Sequence, residues 1–190
     1  MGMVVRLGRW TWHREGVVMS SPASWLVQHA DLLPRQGRAL DVACGRGRHT
    51  LWLAERGLVT LAVDRDADAV RELNDVARER RLPLRAEVRD LETSQDPFRG
   101  SAYDVIVVVH YLHRPLLPAL IGALAPGGLL VYETFTRAQA ARGKPTNPDF
   151  LLEPGELLDL VRPLEVLASR EGDYDGRMVA SVIARRRSAS

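Results

Sequence analysis

The sequence predicts an α/β protein in three layers, with a mostly parallel sheet covered by helices on both faces. Three observations carry this prediction. Short apolar runs alternate with helical patterns along the chain, and one of them, YDVIVVVH (103–110), is apolar enough for a strand buried on both faces. The length of 190 residues suits one domain with a core of its own, so residues 1–190 are expected to form a single domain.

The elements follow in order. SSPASWLVQHADLLP (20–34) has Ser21 as N-cap, Pro22 at the first helical position and Pro34 as a stop, which predicts a leading helix that closes an N-terminal extension over 1–37. A strand over 39–43, a helix over 48–56, a strand over 59–63 and a helix over 66–80 come next. In the last of these Ala67, Val70, Leu73 and Ala77 share a face, Asp66 caps the start and Asp68 suits the first turn. Residues 84–88 and 103–110 are strands, 115–124 a helix, and APGG (125–128) a turn feeding a strand over 129–133. The pattern then breaks. Residues 134–152 carry two prolines without a strand period and are expected to form a lid segment. A short helix over 154–161 precedes two strands, 164–170 and 178–185, whose short link through Asp175 and Gly176 requires antiparallel pairing. The whole is a mostly parallel seven-stranded sheet with an antiparallel C-terminal hairpin.

Composition narrows the class. Net charge is +2 and the pI about 9.0, but the basic residues alternate with 24 acids, so nucleic-acid binding is possible and weakly supported. The single Cys44 excludes a disulfide within the chain, and the five histidines show no zinc spacing, so no metal is expected. The first residues lack the apolar core of a signal peptide and no run approaches a membrane span, which predicts a soluble, cytoplasmic protein without membrane contact.

The stretch ALDVACGRGRHT (39–50) joins an apolar strand to a helix through Gly45 and Gly47, where the backbone turns sharply and approaches a ligand. Asp64 ends the next strand 19 positions beyond Gly45, where a carboxylate accepts hydrogen bonds from both ribose hydroxyls. Asp90 ends the third strand, where it suits an adenine amino group while Leu91 covers the ring. Acids at three successive strand ends, Asp41, Asp64 and Asp90, fit a ligand with ammonium, ribose and adenine groups. They would repel a diphosphate.

With LDVACGRGR, VD at Asp64, RDLE at Asp90, YDVIVVV, LAPGGLLVYE and a closing hairpin, the sequence from about 38 to 185 resembles the class I S-adenosylmethionine-dependent methyltransferases. The resemblance implies a Rossmann-like sandwich that binds S-adenosylmethionine through Asp41, Ala43, Gly45, Gly47, Asp64, Arg65, Asp90, Leu91 and His110, and releases S-adenosylhomocysteine. Ala43 departs from the usual pattern, which has glycine there. CGRGRHTLWLAERG, HRPLLPALIGALAPGGLLVYETFT and NPDFLLEPGELL are most similar to the tellurite-resistance-type methyltransferases and their uncharacterised relatives. That narrower likeness implies a small-molecule or oxyanion methyl acceptor.

By the family geometry, HYLHRP (110–115) stands beside the methyl group. His110 or His113 is placed to remove a proton as a catalytic base, Tyr111 to line the acceptor, and Arg114 to orient an anion. Phe150, in the lid segment, supplies an apolar wall. Trp10, Trp12 and Trp25 are read first as packing residues. Three other readings stay open: a nicotinamide-dependent oxidoreductase, whose fingerprint needs glycine where Thr50 stands; a non-catalytic S-adenosylmethionine-binding protein; and a methyltransferase acting on RNA or protein.

Overall fold

The computed structural model describes residues 12–14, 17–19, 21–93 and 97–188. Trp10 lies outside them. The chain opens with a two-stranded antiparallel ribbon, β1 (Trp12–Arg14) and β2 (Val17–Met19), in a charged stretch whose short runs gave no strand signal. The leading helix is shorter than its pattern predicts. Helix α1 spans Ser24–Gln28, with Ala23 rather than Ser21 at its N-cap, and a 3-10 turn over Ala30–Leu32 follows.

Among the described residues, one sheet holds seven strands. They are β3 (Arg38–Val42), β4 (Val59–Asp64), β5 (Leu84–Val88), β6 (Tyr103–Val109), β7 (Leu124–Phe135), β8 (Glu165–Tyr174) and β9 (Arg177–Arg185). Their order is β5-β4-β3-β6-β7-β9-β8, parallel from β5 to β7 and antiparallel at β9 and β8. The strand order reverses at β3, between β4 and β6, which is where such sheets bind ligands.

The period of two along each strand divides the core. Leu40, Val42, Ile106, Val108, Leu130 and Tyr132 pack on one face with Leu116, Leu120, Leu157 and Val161. Val105, Val107, Val109, Leu129 and Val131 pack on the other with Trp25, Leu26 and Leu53. Both faces of β6 are therefore dry, as its unbroken Val/Ile run requires. Helices α2 (Arg48–Glu55) and α3 (Ala67–Arg80) make the crossovers beside β4, and Leu73 and Val70 of α3 pack with Leu51 of α2. Asp66 caps α3 as predicted, its Oδ1 accepting from the N–H groups of Asp68 and Ala69. The edge strand β5 is blunted by Asn74 of α3, whose amide side chain accepts from Ala86 N–H and donates to Ala86 C=O.

Beyond β6 the chain forms a 3-10 turn over Arg114–Leu116 before α4 (Leu117–Gly122), and α5 spans Glu156–Leu160. The predicted APGG turn lies inside β7. Leu124 pairs with Tyr103, the register then shifts, and pairing resumes at Val105 with Leu129. Gly128 allows this, since a Cβ there would stand 2.7 Å from the Tyr103 carbonyl oxygen.

Candidate functional site

The C-terminal ends of β3, β4, β5, β6 and β7 share one rim, and the loop 43–47 after β3 is its centre. Three of its residues have left-handed backbone: Ala43 at φ 53°, Gly45 at 52° and Gly47 at 78°. Glycine suits this region, and alanine is strained there. That conformation turns the Gly45 N–H towards β4, where it donates to Asp64 Oδ2 at 2.7 Å. The other oxygen, Oδ1, accepts from Asp66 N–H at 2.9 Å. One carboxylate thus fixes both the glycine loop and the start of the loop into α3.

The two glycines serve different ends. A Cβ on Gly45 would meet open space, so this backbone is free to be approached. A Cβ on Gly47 would lie 2.5 Å from Leu73 Cδ1, so the second glycine lets α3 pack against the loop. The expectation that both leave room for a ligand is corrected for Gly47.

A cavity of about 590 Å³ opens beside this loop. Asp64, Arg65, Asp90, Leu91 and Glu92 line its acidic side, with Ala43 at the centre. Leu91 is buried, while Asp90 turns its Oδ1 back to accept from Glu92 N–H at 3.0 Å. His110, Tyr111 and Phe135 line the side over β6 and β7, and Lys144, Pro145 and Phe150 reach in from the segment after β7. Phe150, 49% exposed, lines the cavity from this segment. The Tyr111 hydroxyl oxygen is shut off from solvent without a hydrogen-bond partner among the described residues. Burial and the nearby carboxylates of Glu92 and Asp90 push its pKa up to about 12.

His110 also has left-handed backbone, at φ 59°, and its N–H donates to the Glu133 carbonyl at 2.8 Å. Its ring stacks on Phe135 with centroids 4.5 Å apart. Burial first, then the positive charges of Arg177 and Arg48, bring its pKa down to about 4. His110 is therefore neutral and only weakly basic near neutral pH.

Three further expectations change. Asp41, 1% exposed, lies behind the loop and not on the cavity wall. Its Oδ2 accepts from the Thr50 hydroxyl at 2.6 Å, and burial pushes its pKa up to about 7. His113 does not line the cavity, and its carbonyl accepts Leu116 N–H at the start of the 3-10 turn. Arg114 also points away. Its Nε donates to Glu156 Oε1 at 2.5 Å and its Nη2 to Oε2 at 2.9 Å, while Nη1 and Nη2 reach the carbonyls of Asp149 and Leu151. This guanidinium ties down the end of the segment that carries Phe150.

Sequence reasoning missed Arg89, Glu92, Leu112, Phe135, Lys144 and Pro145 on the wall. The signal for Phe135 was its place at the end of a strand whose neighbours supplied the other wall residues. The buried thiol of Cys44 has its pKa pushed up by desolvation and by Asp41, leaving an inert side chain. Among the described residues no group of three or more His, Cys, Asp or Glu is arranged to hold a metal ion. No helix there is long and apolar enough to cross a membrane.

The strand order β5-β4-β3-β6-β7-β9-β8 with its antiparallel closing hairpin is the fold of solved S-adenosylmethionine-dependent methyltransferases, such as one from Methanosarcina mazei with a TM-score of 0.68 and 18% identity, over 89% of this chain and 100% of that one. Residues 39–128 match the family model described as a methyltransferase domain. It is similar to trans-aconitate 2-methyltransferase of Variovorax paradoxus, 35% identical over 106 residues, or 53% of this chain and 39% of the relative. A protein named hemagglutinin 1, from Eikenella corrodens, is 33% identical over 98 residues, or 48% of this chain and 32% of the relative. The chain thus spans about a third to two fifths of the length of these curated relatives. The crystal structure of TehB from Haemophilus influenzae has the same fold, with a TM-score of 0.71 and 19% identity, over 85% of this chain and 61% of that one.

Proposed function

We propose that the chain is an S-adenosylmethionine-dependent methyltransferase acting on a small molecule. The observation that carries this reading is the division of one cavity between Asp64 and Asp90 with Leu91 on one side and the aromatic pair His110 and Phe135 on the other. The donor set fits the nucleoside. Asp64 has lone pairs to spare for the ribose hydroxyls, Asp90 and Leu91 suit the adenine edge and face, and Gly45 leaves open space beside the loop. The likeness to trans-aconitate 2-methyltransferase supports a small acceptor.

S-adenosylmethionine supplies a methyl group on a positively charged sulfur, so no nucleophile from the protein is required. The residues of the chain hold the partners in line and exclude water. His110, braced against Phe135 and anchored to Glu133, presents a neutral rigid edge over β6. Tyr132 donates from its hydroxyl to the Tyr111 carbonyl at 2.9 Å and so sets the position of the Tyr111 ring. Phe150 and Pro145 close the cavity from the segment after β7, which Arg114 and Glu156 hold in place.

Incubating the purified chain with methyl-labelled S-adenosylmethionine and a panel of small acids, trans-aconitate among them, tests this reading. Labelled product and S-adenosylhomocysteine should appear together for at least one acceptor. Cofactor binding without turnover on any small molecule, accompanied by labelled RNA or protein in a cell extract, would contradict it.

A further inference from the structure

The carboxylates on the cavity wall, with Arg65 and Arg89 among them, all stand on one half of the rim, and only that half is explained by the nucleoside. In sheet order the acids Asp90 and Glu92 follow β5 and Asp64 ends β4, while Arg48 follows β3, His110 follows β6, Phe135 ends β7 and Arg177 opens β9. Because β9 runs antiparallel to β7, with Phe135 opposite Val179, its first residue stands at the same rim as the ends of the parallel strands. In sheet order Arg48 and Arg177 therefore stand on either side of His110 and Phe135, outside the residues that line the cavity itself.

Among the described residues neither of these two cations has a carboxylate as hydrogen-bond or ion-pair partner. Arg177 makes no side-chain hydrogen bond or ion pair with any of the described residues. Among the described residues Arg48 donates to the Ser21 carbonyl alone, at 3.3 Å. The nearest buried acids are engaged elsewhere: Glu133 Oε2 accepts from Ser181 at 2.7 Å and from Arg170 at 3.0 Å, and Asp41 accepts from Thr50. Burial first, and then the positive charge of Arg177, lower the pKa of Arg48, and the field of both arginines reaches His110. Their neighbour His49 is buried and neutral, its Nε2 accepting from Ala23 N–H at 3.3 Å. A bound anion relieves this arrangement, and a neutral ligand does not.

We propose that the methyl acceptor enters as a carboxylate held between Arg48 and Arg177, with one oxygen turned to the donor across His110. This rests on the methyltransferase reading above. A carboxylate is already ionised at neutral pH, so neither His110 nor His113 has a proton to remove. The new oxygen–carbon bond takes a lone pair of the carboxylate as the sulfur–carbon bond breaks, its pair returning to sulfur. The negative charge of the acceptor and the positive charge of the sulfonium disappear together, no proton moves, and the product is a methyl ester.

The test is calorimetric and needs no turnover. The chain is first titrated with S-adenosylhomocysteine, then the saturated protein with benzoate, succinate and citrate, and with benzamide and succinamide as neutral isosteres. Inorganic phosphate is a separate arm. The carboxylates should bind, more weakly as salt rises, and the amides should not. Arg177→Gln should weaken carboxylate binding about tenfold, the loss of one charge-assisted contact, and leave S-adenosylhomocysteine affinity unchanged. Arg177→Lys should recover part of the loss. Binding of phosphate with no carboxylate bound, or carboxylate binding equal in Arg177→Gln, would overturn the proposal. So would a loss of S-adenosylhomocysteine affinity in Arg177→Gln, which would assign that arginine to the amino-acid end of the cofactor. Failure of S-adenosylhomocysteine itself to bind would overturn the underlying reading instead.

Discussion

Replacing Gly47 with alanine separates a glycine that serves packing from one that serves a ligand. The new Cβ would stand 2.5 Å and 2.6 Å from the two methyl carbons of Leu73, which is 2% exposed and packed with Val70, Leu51 and Ala86. Leu73 has no free space to swing into, so the helix or the loop must shift, an overpacking cost of about 1–3 kcal/mol. The left-handed φ of 78° adds about 1–2 kcal/mol for any residue with a Cβ. Gly45→Ala shares the second cost, with φ 52°, but its Cβ meets nothing. Urea unfolding of both variants should therefore show Gly47→Ala less stable than Gly45→Ala by about 1–3 kcal/mol. In melting temperature, at about 2–4 °C per kcal/mol for a chain of this size, the gap amounts to several degrees. Binding should reverse the order, with S-adenosylhomocysteine affinity falling more in Gly45→Ala. Equal stability losses in the two variants would refute the division of roles.

Three further variants probe other parts of the account. Between about pH 4 and 6.5 native Asp41 keeps a proton that the unfolded chain has released, while His49 and His110 lack protons that the unfolded chain holds. The Asp41 contribution is complete below the unfolded carboxylate pKa and is lost as pH rises towards 7; the histidine contributions are present above 6.5 and lost as pH falls. The three oppose one another, so Asp41→Asn should steepen the rise of stability with pH over this window in urea titrations, and an unchanged slope would contradict the buried, protonated Asp41. Arg114→Gln should raise cleavage in 143–152 in limited proteolysis and cost about 1 kcal/mol, since the ion pair is partly exposed, with S-adenosylhomocysteine affinity unchanged. A changed affinity there with normal proteolysis would return Arg114 to the site. Ala43→Gly should stabilise the chain by about 1 kcal/mol in the same unfolding assay by relieving φ 53°, and destabilisation would show that the methyl group packs favourably.

What the sequence made legible was local or strictly periodic. The Val/Ile run of β6, the shared face of Val70, Leu73 and Ala77, and the Asp66 cap each depend on residues a few positions apart, and all appear in the structure, whereas Ala67 is exposed and Ala69 is buried in its place. Asp64 was legible because its spacing from Gly45 reflects a hydrogen bond the loop makes. Arg114 was misread because it follows β6 directly in the chain, whereas its partner Glu156 lies 42 residues on and no local pattern announces it. The helix expected over 115–124 splits into a 3-10 turn and α4, a region that holds both Pro115 and Pro118. Phe135, Lys144 and Arg177 reach the rim only through the order β3-β6-β7-β9, which local pattern does not reveal.

Titrating the purified chain and its Asp64→Ala variant with S-adenosylhomocysteine bears most directly on the claim that the strand ends hold a sulfonium nucleoside. The wild-type chain should bind in the micromolar range, and the variant should lose about 1–3 kcal/mol, the scale of hydrogen bonds to a charged group. Absence of binding at saturating concentration, or equal affinity in the variant, would contradict it.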